Sequence, residues 1–185
     1  MVSIKLVTTE EELKGILALQ QQNLRKNLSE EEAAEQGFLM AEFNLKFLQK
    51  MHAAAPSVIA VADDKVVGYS LVALKSIREE HPLLADLFDT IDRLQFDSKD
   101  LSKINYVVVG QLCVGKGYRG IGLVDQLYHF YKDQYAKEYE YLITDVAQAN
   151  HRSLKAHKKT GFQVIDQLTF EGIGWDIVLW NWNAL

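Results

Sequence analysis

A strand that runs directly into a glycine-rich loop and then into a helix is the feature that most constrains this chain. Residues 107–114 are mostly apolar and β-branched, which predicts a buried strand. The next eight residues, 115–122, contain four glycines and open onto a helical pattern. Glycine lets the backbone turn sharply and expose successive N–H groups, and a helix start adds a positive dipole end. The segment therefore predicts a site for a phosphate or diphosphate group.

Composition excludes several other classes of protein. The 185 residues are 48% hydrophobic, which is typical of one soluble domain spanning residues 1–185. A net charge of −5 argues against a nucleic-acid partner, which a basic face would indicate. One cysteine leaves no pair for an intrachain disulfide and no cysteine-rich metal site, so we predict no metal. No signal pattern or membrane-length apolar run is present, so we expect a cytoplasmic protein without a membrane partner.

The first half of the sequence predicts a short strand, two capped helices and a hairpin. A strand near residues 4–6 precedes Thr8 and Thr9, which with the following glutamates form a capping-box start. Ser29 with Glu32 repeats this signature. Residues 58–62 and 66–74 are predicted to pair as a hairpin with a turn at 63–65, and an acidic insert at 75–103 contains a helix that begins near Pro82.

The second half predicts strand, helix, strand, helix and two final strands. The helix after the glycine-rich loop is predicted at 121–137 and the next strand at 141–146. A connection of this length implies a parallel strand pair with a right-handed crossover. Asn150 caps a helix that ends at Thr160, and strands are predicted at 162–170 and 175–182. The predicted fold class is α/β, a mixed sheet with helices on both faces.

Two motifs on these elements resemble the GNAT acetyltransferase superfamily. The family's cofactor loop has the pattern [Q/R]-x-x-G-x-[G/A], and residues 119–124 read Arg-Gly-Ile-Gly-Leu-Val. One helix and one strand later, the family's second pattern is matched by Asn150, Ser153, His157, Gly161 and Phe162. The loop match alone is weak, but both matches occur in the right order and on the right elements. Val124 stands where the family has glycine or alanine, and His157 where many members have tyrosine.

The resemblance implies an acyl-CoA N-acyltransferase fold whose central parallel strands splay apart, with acetyl-CoA as the cosubstrate. It implies that the cofactor is bound by residues of the central strand, the loop and the second motif: Leu112, Cys113, Val114, Lys116, Arg119, Gly120, Ile121, Gly122, Leu123, Val124, Asn150, Ser153 and His157. Gly110 marks the bulge that opens the gap between the strands, or it only avoids a clash; the sequence leaves both open.

The resemblance also implies direct attack of a primary amine on the thioester. Carried over from the family's tyrosine position, His157 is the predicted proton donor to the thiolate; the alternative is a histidine that complements a helix C-terminus. Asp145, at the end of a strand, is the predicted base; the alternative is a bond to backbone. Cys113 is read as an apolar filler rather than a nucleophile.

The acceptor is a small molecule or a peptide: polyamine, aminoglycoside, amino acid and protein N-terminus all stay open. A homodimer is possible, since dimers are common in the family. The competing hypothesis is a catalytically silent CoA-binding sensor, because the central strand carries no glutamate and the loop carries Val124.

Overall fold

The computed structural model describes residues 1–183 and places a seven-stranded mixed sheet at its centre. In chain order the strands are β1 (Ser3–Leu6), β2 (Val58–Ala62), β3 (Lys65–Ala73), β4 (Gln95–Phe96), β5 (Lys99–Asp100), β6 (Tyr106–Val114), β7 (Tyr141–Ala147), β8 (Gln163–Phe170) and β9 (Ile173–Asn181). The helices are α1 (Glu10–Asn23), α2 (Glu30–Gln36), α3 (Leu45–Ala54), α4 (Pro82–Ile91), α5 (Leu123–Tyr135) and α6 (His151–Thr160). The sheet order is β1-β2-β3-β6-β7-β9-β8, and β4 and β5 form a separate hairpin.

The central strands β6 and β7 are parallel and separate after a short pairing. Tyr106, Val107 and Val108 pair with Tyr141, Leu142 and Ile143. Both strands then continue, β6 to Val114 against β3 and β7 to Ala147 against β9, without pairing to each other. A gap therefore opens between them. This confirms the predicted α/β fold with a splayed parallel pair.

Helices cover both faces of the sheet. The apolar residues of α1, α3 and α4 pack on one face, where Ile16, Leu48 and Phe88 are almost fully buried. On the other face α5 buries Leu127 and Tyr131, which recur at helical spacing, against β2 and β3. Such two-sided burial explains why the central strands are nearly continuous apolar runs.

Local capping signals position the helix ends as the sequence predicts. Thr9 caps α1 in a capping box with Glu12, and Ser29 caps α2 in the same way with Glu32. Asn150 caps α6 by accepting a hydrogen bond from the Ser153 amide at 3.3 Å. These side chains satisfy amides that a helix start leaves without partners.

Several details of the elements differ from the predicted ones. The helix α5 begins at Leu123, not at residue 121, because Gly120 and Gly122 adopt φ of +82° and +79°, outside the helical region. The final hairpin turns through Glu171 and Gly172 alone, so β9 begins two residues earlier than predicted. The insert 75–103 contains the β4–β5 hairpin as well as α4.

Candidate active site

The gap between β6 and β7 is widened by an extra residue in β6. Leu112 pairs with Ser70, whereas Val109 pairs with Val72, so the register against β3 slips by one residue around Gly110. A Cβ at Gly110 would lie 2.9 Å from Cε of Met51. Gly110 therefore both lies in the bulge and avoids a clash, which were the two alternatives.

Backbone groups of β6 face this gap without a strand partner. Alternate residues of a strand direct their N–H and C=O groups to opposite edges, and β3 covers only one edge of β6 beyond Val108. On the gap side, the Thr144 hydroxyl donates to the carbonyl of Val109 at 2.9 Å. The groups that follow Val109 on that edge are available to a bound chain with amide groups.

A cavity of about 560 Å³ runs from the end of β6 to the start of α5, with α6 as its second wall. Its lining includes ten of the predicted cofactor residues: Leu112, Cys113, Val114, Arg119, Gly120, Gly122, Leu123, Val124, Asn150 and Ser153. Three predicted residues are not part of the lining. Lys116 is paired with Glu32 at 3.2 Å, Ile121 is 58% exposed, and the side chain of His157 is buried between α6 and Tyr128 of α5.

The start of α5 forms an anion-binding end of the cavity. Its first amides have no intrahelical acceptor, and Gly122 offers no side-chain cap. Nothing lies within 4 Å of where a Cβ would stand on Gly120 or Gly122. Bare amides and the positive helix end together suit a diphosphate. The side chain of Val124 packs partly against the core, so it does not remove the amide donors.

Arg119 is used to anchor the loop. Its Nε donates to the carbonyl of Val114 at 2.9 Å, and its guanidinium donates to Gln36 Oε1 at 3.2 Å and to the side-chain oxygen of Asn23. These bonds tie the loop to α1 and α2. Three of its five N–H donors are thus used by the protein, and the predicted contact of Arg119 with the diphosphate stays a prediction.

Three basic side chains of α6, Arg152, Lys155 and Lys159, also line the cavity. The sequence analysis missed this set. Their spacing of three and four residues is the signal that places them on one helix face.

A second, smaller pocket of about 80 Å³ lies within the gap itself. It is bounded by the segment 38–41, the start of α4, both central strands, α6 and β9: Phe38, Leu39, Met40, Ala41, Leu83, Gly110, Gln111, Leu112, Thr144, Asp145, Val146, Ala147, Asn150, Ser153, His157 and Trp175. It adjoins the larger cavity, since Phe38, Leu39, Leu112, Asn150 and Ser153 line both. The predicted base Asp145 and the predicted acid His157 are thus brought to one place.

His157 is almost fully buried, and both of its ring nitrogens are engaged. The Tyr128 hydroxyl lies 2.6 Å from Nε2, and Nδ1 lies 2.8 Å from the carbonyl oxygen of Ser153. A carbonyl only accepts, so Nδ1 carries the proton and Nε2 accepts from Tyr128. Burial lowers the pKa of His157 to about 4, so the ring is neutral at pH 7. The predicted proton-donor role does not fit this geometry; the ring instead links α6 to α5.

The pKa of Asp145 is raised by burial, whereas that of His157 is lowered. Its carboxyl opens onto the second pocket and makes no hydrogen bond or ion pair with another residue of the described part of the chain. Burial, followed by the charge of Asp86 on α4, raises the pKa of Asp145 to about 7. An unpaired carboxyl with such a pKa can accept a proton near neutral pH.

The remaining polar groups near the gap have structural partners. Gln111 accepts from the Tyr69 hydroxyl at 2.6 Å and donates to the carbonyl of Ala41 at 2.8 Å. Burial raises the pKa of Cys113 to about 12, which supports its interpretation as an apolar filler. Trp175 forms the β9 side of the second pocket, and its Nε1 has no partner within residues 1–183.

Comparison with known proteins gives the family. The family model described as "Acetyltransferase (GNAT) family" matches residues 17–162, well over half of the chain. The chain therefore belongs to the GNAT acetyltransferase family. No curated protein sequence matches it significantly.

Solved structures give the same fold at low sequence identity. An N-acetyltransferase from Staphylococcus aureus is 17% identical, with 99% of each chain covered and a TM-score of 0.64. Arabidopsis thaliana NAA60 in complex with acetyl-CoA is 14% identical over 98% of this chain and 99% of that chain, with a TM-score of 0.66. The Escherichia coli ribosomal-protein-S18-alanine N-acetyltransferase is 12% identical, covers 100% and 96%, and has a TM-score of 0.65. Within residues 1–183, no helix has the length and apolarity that crossing a membrane requires.

Proposed function

We propose that this protein transfers the acetyl group of acetyl-CoA to a primary amine by direct attack in a ternary complex. One observation carries the proposal: the cavity at the start of α5 follows the end of β6 and adjoins the pocket in the gap between β6 and β7. A diphosphate at one end and a thioester at the other match this arrangement. The Arabidopsis neighbour was solved with acetyl-CoA, which supports the same cosubstrate here.

In this proposal the diphosphate rests on the amides of Gly120 to Val124, and the amide-bearing arm follows β6 along Leu112 to Val114. The thioester then lies in the gap, beside the second pocket. A free backbone N–H of β6 on that edge can donate to the carbonyl oxygen as negative charge develops on it. Asn150 and Ser153, which line both cavities, flank the arm from α6.

Asp145 supplies the base. An amine with a pKa of roughly 10.4 is only about 0.05% neutral at pH 7, a penalty of about 4–5 kcal/mol. The amine nitrogen attacks the thioester carbon, its proton passes to the Asp145 carboxylate directly or through water, and the C–S bond breaks. A thiol has a pKa of roughly 8.5, so CoA can leave as the thiolate without a dedicated acid. His157 then has a positioning role, because it holds Tyr128 and the first turn of α6 in register.

The acceptor enters from the side of the second pocket. The unpaired carboxyl of Asp145 favours a cationic amine there, and Phe38, Met40 and Leu83 favour an apolar group beside the amine. Two of the similar structures are named for peptide or protein acceptors. One is the NatC complex bound to Gag peptide and CoA, and the other is the ribosomal-protein-S18-alanine N-acetyltransferase. A peptide N-terminus is therefore included with small amines among the proposed acceptors. The cytoplasmic location and the homodimer stay predictions.

The test is release of free thiol from acetyl-CoA over a panel of amines and short peptides, after calorimetric titration with acetyl-CoA alone. We expect binding in the titration and thiol release with at least one acceptor. Binding without release across the panel would favour the CoA-binding sensor, whose main support is the absence of a strand glutamate. No binding at saturating acetyl-CoA would refute both functions.

A further inference from the structure

The basic face of α6 has no acidic partner among residues 1–183. Arg152, Lys155 and Lys159 lie three and four residues apart, and all three line the 560 Å³ cavity. Lys155 and Lys159 form no ion pair within the described part of the chain, and the guanidinium of Arg152 reaches only the carbonyl of Glu35 and the amide oxygen of Gln36. A chain with a net charge of −5 therefore directs unneutralised positive charge into one groove.

The opposite wall offers its own donors to a diphosphate. The free amides at the start of α5 can bind two bridged phosphates without help from α6. Lys155 and Lys159 would then face an unoccupied part of the cavity unless the ligand carried a further anionic group. Ala156 and Thr160, each next to one of these lysines in the sequence, also line the cavity, and their small side chains leave room for a flat group beside the lysines.

We infer that the α6 face formed by Lys155 and Lys159 binds the 3′-phosphate of the cofactor's ribose and so selects CoA over its dephosphorylated form. A phosphate monoester carries a charge of about −1.5 to −2 at pH 7. Four residues on an α-helix span about 6 Å along its axis, so two lysine side chains can converge on one phosphate. This inference rests on the proposed function and adds a specificity that the amide site alone does not provide.

The experiment compares acetyl-CoA with acetyl-dephospho-CoA, by calorimetric binding and by thiol release at fixed acceptor. For the unmodified protein we expect the dephospho form to bind roughly tenfold more weakly, the effect of losing two partly exposed charge pairs. In the double variant Lys155→Gln/Lys159→Gln, affinity for acetyl-CoA should fall by the same roughly tenfold factor, while affinity for the dephospho form stays within about twofold. The effect should lie in KM, with kcat nearly unchanged.

Lys158→Gln is the matched control, because Lys158 is an exposed lysine on the same helix but is not part of the cavity lining. It removes one charge and should leave the ratio of the affinities for acetyl-CoA and acetyl-dephospho-CoA unchanged. Equal affinity of the unmodified protein for both cofactors would overturn the inference while leaving acetyl transfer intact. An equal loss for both cofactors in the double variant would overturn it too, since that result indicates general attraction. If neither cofactor binds, the proposed function itself fails.

Discussion

Replacing Asp145 with asparagine should raise the free energy of unfolding at neutral pH and lower the rate of acetyl transfer. The carboxyl lies in the gap without a partner among residues 1–183, and burial raises its pKa to about 7. A raised pKa means that the folded state binds the proton more tightly than the unfolded state does. The unmodified protein should therefore lose stability as the pH rises from about 4 to about 7, where the folded state must accept the buried charge.

The size of the effect follows from the two pKa values. The interval from the ordinary 3.8 to about 7 corresponds to about 4 kcal/mol, at about 1.36 kcal/mol for each pKa unit. The carboxyl is partly open to solvent through the pocket, so this value is an upper limit and about 2–3 kcal/mol is expected. Asparagine has nearly the same shape and no charge. Asp145→Asn should thus be more stable than the unmodified protein above pH 7 and should lose that advantage near pH 4.

Urea unfolding at pH 5 and pH 8 measures the first part of this prediction, and thiol release from acetyl-CoA measures the second. Removal of a general base should lower kcat/KM by about 10²–10⁴-fold. The rise in kcat/KM centred near pH 7, which reports ionisation of Asp145 in the free enzyme, should disappear. Asp86→Asn, which removes only the more distant carboxyl, is the control and should shift the rise to lower pH without abolishing it.

Two results would refute this reasoning. If stability of the unmodified protein and of Asp145→Asn followed parallel courses with pH, the carboxyl would not be perturbed. If kcat/KM of the variant stayed within a few-fold of the original at all pH values, the base would be another group or water.

Three further outcomes test other parts of the site. His157→Phe leaves the Tyr128 hydroxyl without its buried acceptor, so urea unfolding should show a loss of stability of about 1–3 kcal/mol. The dependence of transfer on pH should keep its shape. If the variant instead lost the fall in rate at high pH, His157 would be the proton donor. Gly122→Ala forces a residue with a side chain to φ near +79°, which costs about 1–2 kcal/mol although nothing lies within 4 Å of the new Cβ. Calorimetry should therefore show weaker binding of acetyl-CoA. Unchanged affinity would contradict binding of the diphosphate by the amides at the start of α5. Cys113→Ala should retain transfer and show no acetylated enzyme by mass spectrometry, because burial raises the pKa of this thiol to about 12. Loss of all transfer in a folded variant would indicate that the acetyl group passes through Cys113.

The elements that local chemistry specifies were predictable from the sequence. A capping side chain and the amide that it accepts from lie three residues apart, so Thr9, Ser29 and Asn150 indicated their helix starts directly. The start of α5 was placed two residues too early, because the left-handed backbone of Gly122 was not recognised. The parallel pair followed from a strand, a helix and a strand in succession. The short hairpin β4–β5 was missed because strands of two residues carry no periodic signal.

The roles of individual site residues were less predictable, because they depend on partners far away in the chain. His157 was read as an acid from its motif position, yet its character is decided by Tyr128, 29 residues earlier. Arg119 is predicted as a cofactor contact from its motif position, and its bonds to Gln36 and Asn23, 83 and 96 residues away, could not be predicted from that position. Motif spacing places a residue at a site, but burial and hydrogen-bond partners determine its protonation and its free donors.

The segment from Gln36 to Phe38 explains why the cofactor groove and the acceptor pocket are not independent sites. Gln36 accepts from Arg119 at 3.2 Å and from Arg152 at 3.4 Å, so it joins the two walls of the groove. The carbonyl of Phe38 accepts from Asn150 at 3.2 Å, and Phe38 lines both cavities. If a bound phosphate changed the contact between Arg152 and Gln36, the change would be passed along residues 36–38 to the smaller pocket, which Phe38 lines. Acceptor affinity, measured by calorimetry with and without CoA, should therefore depend on whether the cofactor is bound.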